Sequence, residues 1–352
     1  MKSLLTLILA VVASVGFSQN ILVADNNPGA PTGTHIYPTL QAAINAAVAG
    51  DIIHVIPSAT NYDGAAVNVN KNNISIFGIG FFPDKDGPQV ATFNQLNINA
   101  SGVRLSGLNT TTLIDIGQDN GSYNGITIEN SSIGYINTGT GALSNILIRS
   151  CHINRVNYGT TTSISFGNTV SNSVISNCII DHYGTGTTYE SITAYNGTII
   201  KNCILFGHGN NAFQTLINCT VANSIFYGAT PTASGTFTNN VLNHCVAVDG
   251  TGAAVDLSGY TGTGNISSLN STQIFAEPNI NIGDGSWNLT WDHNVVAPLI
   301  DAGTDNTDLG VMGGTIPFSV TGTPLPLIKR LLVPEIIKQG DNLNATIEAQ
   351  GY

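Results

Sequence analysis

Between residues 128 and 247 one six-residue pattern of aliphatic and polar positions recurs. It reads Ile128-Glu129-Asn130-Ser131-Ser132-Ile133, then Ile148-Arg149-Ser150-Cys151-His152-Ile153, then Ile175-Ser176-Asn177-Cys178-Ile179-Ile180. Ile200-Lys201-Asn202-Cys203-Ile204-Leu205, Leu216-Ile217-Asn218-Cys219-Thr220-Val221 and Leu242-Asn243-His244-Cys245-Val246-Ala247 continue it. The units start 20, 27, 25, 16 and 26 residues apart. Short β-branched segments at such a period, joined by Gly/Thr turns such as Thr138-Gly139-Thr140-Gly141, read as stacked parallel strands and not as helical repeats. Less regular units stand upstream at Ile74-Ser75-Ile76-Phe77-Gly78 and Val103-Arg104-Leu105-Ser106-Gly107. The pattern predicts an all-β chain, a single-stranded right-handed parallel β-helix of roughly eight to ten coils.

In that register Cys151, Cys178, Cys203, Cys219 and Cys245 occupy equivalent positions and form one column, with Asn130, Asn177, Asn202 and Asn218 in another beside it. Stacked Asn amides can pass hydrogen bonds from coil to coil, and free Cys packs as a small hydrophobe. At the N-terminal end, Leu40, Ala43, Ile44, Ala47 and Val48 follow Pro38-Thr39 at helical spacing and stop at Gly50. They predict a helix over 39–49 that caps the stack. The β-helix is expected over 19–314, with a Pro-rich appendage over 315–352 that carries Pro317, Pro324, Pro326 and Pro334.

Residues 1–18 change the picture of location. Lys2, the apolar run from Leu4 to Val15 and the small residues Gly16 and Ser18 have the order of a secretory signal. No later segment is long and apolar enough to span a bilayer. The mature chain is therefore expected to be exported, whether extracellular, on the cell surface or periplasmic. Removing Lys2 leaves nine basic residues against 21 acidic ones, without a Lys/Arg cluster to neutralise phosphates, so nucleic acid is not an expected partner. An anionic polysaccharide is repelled on average unless a metal or a local patch intervenes. The odd cysteine count leaves at least one thiol unpaired in any disulfide scheme.

Tyr37-Pro38-Thr39-Leu40-Gln41-Ala42-Ala43-Ile44 and Ala49-Gly50-Asp51-Ile52-Ile53-His54-Val55 resemble the opening segment of the pectin-lyase-like β-helix superfamily. Pro298-Leu299-Ile300-Asp301-Ala302-Gly303 and Asp308-Leu309-Gly310-Val311-Met312-Gly313-Gly314 are similar to the closing segment of its secreted bacterial members. The resemblance covers roughly residues 20–314 and implies the β-helix. The superfamily holds lyases, hydrolases, esterases and adhesins, so the activity rests on motifs. Polygalacturonase-type members carry Asn-Thr-Asp, Asp-Asp, Gly-His-Gly and Arg-Ile-Lys in that order. Here Gly207-His208-Gly209 is present, Asn306-Thr307-Asp308 follows it, and the other two are missing. Asp84-Lys85-Asp86-Gly87 has the alternation of a Ca²⁺ loop without the remaining ligands, so Ca²⁺ is the one cofactor to consider and no metal site is assigned. Asp119-Asn120-Gly121 reads as a turn. Threonines at 110–112, 160–162 and 185–188 sit in turns of unequal length and do not make the regular surface that binding a crystalline polymer needs.

Extending each repeat past its second aliphatic aligns Tyr135, then Asn154 and Arg155, then Asp181, His182 and Tyr183, then His208 and Asp249 along one edge. Arg155, Asp181, His182, Tyr183 and His208 are the candidate substrate-binding residues: a cation, an acid, two imidazoles and an aromatic ring suit a sugar or acid/base chemistry. The expected function is an exported β-helix presenting an extended surface to carbohydrate or a cell-envelope component, non-catalytic in its main reading. The alternative is a polysaccharide lyase or glycoside hydrolase with a divergent active site.

Overall fold

The structure, a computed structural model, describes residues 19–82, 89–156, 162–183, 190–277, 282, 287–323, 327–332 and 346–350; at 155, 156, 182, 183, 208–210, 327–332 and 346–350 the backbone alone is described. The expected signal segment 1–18 and Asp84-Lys85-Asp86-Gly87 lie outside the described residues. Most strands pair in parallel with strands one coil away and fall into an eleven-stranded, a twelve-stranded and a three-stranded sheet. In the eleven-stranded sheet Ile128, Ile148, Ile175, Ile200, Val221 and Leu242 are successive register partners, all fully buried. Their neighbours alternate outward, as a period of two requires.

Sharp corners set the lengths of these strands. Asn130, Ser150, Asn177, Asn202, Asn223 and His244 all have φ of 50–52°. Five residues before each lies a second left-handed corner: Gly125, Asn145, Asn172, Gly197, Asn218 and Asn239. Left-handed backbone is cheapest for Gly and Asn, which explains the asparagines. Four residues between corners leave room for a three-residue strand such as Val174–Ser176.

This arrangement corrects the expected columns. Asn218 and Cys219 belong to the earlier corner, since Cys219 follows Asn218 and its backbone N–H donates to Asn240 Oδ1. The 16-residue spacing was an alignment of two different corners that share one local pattern. The column of Cys151, Cys178, Cys203 and Cys245 is completed by Ser131 and Ser224. All five cysteines are free and buried.

The open single-stranded right-handed β-helix solenoid is also corrected, because the twelve-stranded sheet closes on itself. Ser132–Thr138 pairs with both His152–Val156 and Thr162–Ser165. These continue to Ile179–Tyr183 and Glu190–Tyr195, and both of those pair with the single fourteen-residue strand Ile204–Ile217. The six strands form a closed hydrogen-bonded circuit. Its physical origin is the length of Ser132–Thr138 and Ile204–Ile217, each of which spans two shorter strands of the intervening coils. The cap is corrected too. The helix is Leu40–Ala46, seven residues in place of 39–49, with Thr39 Oγ1 accepting from the Ala42 N–H at its start. Leu40, Ala43 and Ile44 are fully buried, but the sheet edge itself is taken by the two-residue strand Ile36–Tyr37.

Ile179-Ile180, Ile204-Leu205-Phe206, Ile225-Phe226-Tyr227 and Val246-Ala247-Val248 lack alternation, and both faces of these strands are buried. The inner face joins the main core. The outer face forms a second core with Trp287, Val295, Leu299, Leu309, Val311 and Phe318 of the returning chain. Corner side chains hold that returning chain. Asn177 Nδ2 donates to Val311 O and Gly313 O at 3.0 and 2.8 Å, Asn223 exchanges bonds with Thr304, and His244 Nδ1 lies 2.7 Å from Ala302 O. Leu327–Leu332 and Thr346–Gln350 pair antiparallel with each other.

Burial pushes the Cys178 and Cys203 thiols well above their ordinary range and Cys245 up to about 12. Because all five thiols are buried and free, they should be silent toward a thiol reagent in native protein, and all five should titrate after denaturation without reductant. Ser131 and Ser224 each donate a hydroxyl to the carbonyl two residues earlier, at 2.8 Å, as Cys203 Sγ does at 3.2 Å. Cys203→Ser should accordingly change unfolding free energy by no more than about 1 kcal/mol, as read from denaturant melts.

Candidate functional site

The strands His152–Val156 and Ile179–Tyr183 pair residue for residue, so Asn154 faces Asp181 and Arg155 faces His182 one strand spacing away. Asp181 in turn pairs with Phe206, and His208 follows on the same strand. The side chains of Arg155, His182, Tyr183 and His208 lie outside the described residues. Two other residues of the expected edge lie at a turn and at a bulge. Asp249 closes a turn, its Oδ1 accepting from Thr251 and Ala253, and Tyr135 pairs with Leu113 at a bulge. Gly207 has a packing reason of its own: a Cβ there would sit 2.8 Å from that of Ala229.

Asp181 is fully buried beneath the returning chain. Its Oδ2 accepts the Trp287 backbone N–H at 2.6 Å, while Oδ1 has no partner among the described residues. Burial pushes its carboxyl up to about 7, against the opposing pull of the Trp287 hydrogen bond. The Trp287 indole N–H donates to His293 Nε2 at 3.0 Å, which requires that nitrogen unprotonated. His293 is pushed down to about 4 by burial, and His152 to about 4 by burial and by the neighbouring His293. Asn154 Oδ1 and His152 Nε2 are likewise buried without a described partner. Trp287 stands between Phe206, Tyr227, Phe275 and Trp291 in edge-on contacts of 5.1–6.4 Å.

Outside this centre, the returning chain forms a groove of about 640 Å³. Half-buried Trp291 and buried Phe318 supply its aromatic surface, and Asp292, Asn294, Ser319 and Thr321 its polar rim. Asp292 Oδ1 accepts from Asn294 Nδ2 at 2.7 Å, which fixes that rim. Sequence reasoning missed this groove. A signal was available, since the only two tryptophans of the chain stand four residues apart with a histidine beside them. A second groove, of about 260 Å³, lies where Arg149 and Lys201 meet the returning segment 305–316. Among the described residues no group of His, Cys, Asp and Glu is arranged to hold a metal ion, and no helix is long and apolar enough to cross a membrane.

No protein-family model matches the chain, and no curated protein sequence does either. The closed circuit of the twelve-stranded sheet also corrects the expected membership of the pectin-lyase-like superfamily, which implied an open β-helix. Among solved structures, a crystal structure of pectate lyase Pel9A superposes with a TM-score of 0.55 at 13% identity, covering 84% of this chain and 96% of that one. A rhamnogalacturonan lyase gives a TM-score of 0.35 at 15% identity, over 65% of this chain and 68% of its own. At such identity the first likeness speaks to the fold: an all-β architecture shared with a pectate lyase.

The Asp181 centre sets a pH dependence. The folded carboxyl holds its proton up to about pH 7, whereas an unfolded one releases it near 3.8. The folded state thus binds more protons in that window, and this residue's contribution to stability falls as pH rises through it. His152 and His293 act with the opposite sign, since only the unfolded state takes up their protons between about 4 and 6.5. Asp181→Asn keeps an acceptor for Trp287 and removes the first effect. Its melting temperature relative to wild type should rise steadily from pH 4 to pH 7, by an amount on the order of a few kcal/mol in stability. A constant difference across that range would show that Asp181 ionises freely.

Proposed function

We propose that the protein is directed at polysaccharide, grips it in the Trp291 groove, and acts as a lyase or hydrolase with a divergent site. The observation that carries this reading is the groove itself. A half-exposed indole beside a fixed polar rim suits a sugar, whose C–H face packs on an aromatic ring while its hydroxyls find Asp292, Asn294, Ser319 and Thr321. The fold likeness to a pectate lyase supports the acting reading over a passive one.

Cleavage chemistry belongs, in this proposal, to the edge of Arg155, His182, Tyr183 and His208, with Asp181 buried behind it. The register supports it by setting Arg155 opposite His182. An exported location is part of the same proposal.

A screen of acidic and neutral glycans tests both halves, with binding read by calorimetry and turnover by new reducing ends or unsaturated sugar. Trp291→Ala should weaken binding about tenfold or more, whereas Trp291→Phe should keep most of it. His182→Ala with Arg155→Ala should abolish turnover and spare binding. Binding without turnover on every glycan would remove the catalytic half; no binding at all would sink the proposal.

A further inference from the structure

Among the described side chains, Arg104, Arg149 and Lys201 stand together on the outer face of the eleven-stranded sheet. In a chain of formal charge −11 that concentration is notable for what it leaves free. Arg104 and Arg149 both bond the buried Glu129, through Nε at 2.6 and 2.7 Å and through Nη2 as well. Two cations around one carboxylate leave a net positive charge there. Lys201, exposed, has no ion-pair partner among the described residues.

Lys201 opens onto the smaller groove, beside Arg149, Ser176, Asn202, Thr315 and Asp305. Asn202 is the exception in its column. Asn130, Asn177 and Asn223 each donate their amide N–H to Ser106, to Val311 and Gly313, or to Thr304. Asn202, 2% exposed, has an Nδ2 with no partner among the described residues. The returning chain packs closely on it, because a Cβ at Gly313 would lie 2.7 Å from its Nδ2 and one at Gly314 3.3 Å from its Oδ1. A buried, held amide donor beside an exposed cation is suited to an anionic acceptor.

We infer that this groove is a subsite for a hydroxylated carboxylate. Lys201 supplies the charge, and the Asn202 amide with the Ser176 and Thr315 hydroxyls supplies hydrogen bonds to the carboxylate oxygens. Asp305, the one carboxylate in the lining, plays a different part. Its Oδ1 already accepts from Thr307 Oγ1 at 2.8 Å, and its remaining capacity suits a ligand hydroxyl. Such a ligand is a sugar acid, free or as a residue of a polymer. That the carboxylate belongs to a sugar rests on the polysaccharide reading above; that an oxyanion binds here does not.

The test is calorimetry at low ionic strength with galacturonic acid, its oligomers, galactose and acetate as probes. Galacturonate should bind about tenfold tighter than galactose, and added salt should weaken it. Lys201→Ala, an exposed substitution, should remove that preference, and Asn202→Asp, which suits the same left-handed corner but presents an acceptor, should do likewise. Oligomers binding tighter than the monomer would assign the polymer source, and equal affinity the free acid. Acetate bound in a Lys201-dependent way, with no added affinity for galacturonate, would uphold the oxyanion site and overturn its sugar part. Equal affinity for galacturonate and galactose, or a Lys201→Ala variant that binds like wild type, would overturn the subsite.

Discussion

Each coil must bend twice within five residues to pass from sheet to sheet, and a single left-handed residue accomplishes each bend. Asparagine is the side-chain-bearing residue that bears this conformation at least cost. The second corner of each coil is also where the molecule is tied together across its length. Asn177, Asn223 and His244 reach from their corners to backbone or hydroxyl groups of residues 302–313, 58 or more positions away in each case. The same residues that permit the stack therefore dock the returning chain on its flank. Both grooves depend on that docking, since residues 291–321 supply one wall of the smaller groove and the lining of the larger.

Much of this was legible in the chain. Aliphatics at the start of each unit point inward because short strands alternate, and they pair in the order their spacing implies, apart from Leu216. The error at Leu216 has a local cause: both corners are written as aliphatic, any residue, Asn, then a small residue, so one can be read for the other. Closure of the larger sheet was not legible, because it depends on which parts of two long strands meet partners in other coils. Gly134 marks the place after the fact. A Cβ there would lie 2.4 Å from Thr112 O, where the register shifts by a bulge.

The expected site was legible as a register and not as an environment. Pairing of Arg155 with His182 follows from the repeat, but the burial of Asp181 is imposed by Trp287, 106 residues later. Unbroken apolar runs such as Ile204-Leu205-Phe206 did announce that something covers the outer face. They could not say that the cover would carry histidines and tryptophans. Charge was similarly ambiguous: an acidic total hides a sheet face where two arginines grip one buried glutamate and a lysine beside them has no ion-pair partner among the described residues.

The divided sheet has a consequence for register. His152–Val156 and Thr162–Ser165 leave the same parent strand, and their successors rejoin at Ile204–Ile217. A one-residue slip in either branch would carry its side chains to the opposite face and break the match where the branches meet again. The two branches thus proofread one another.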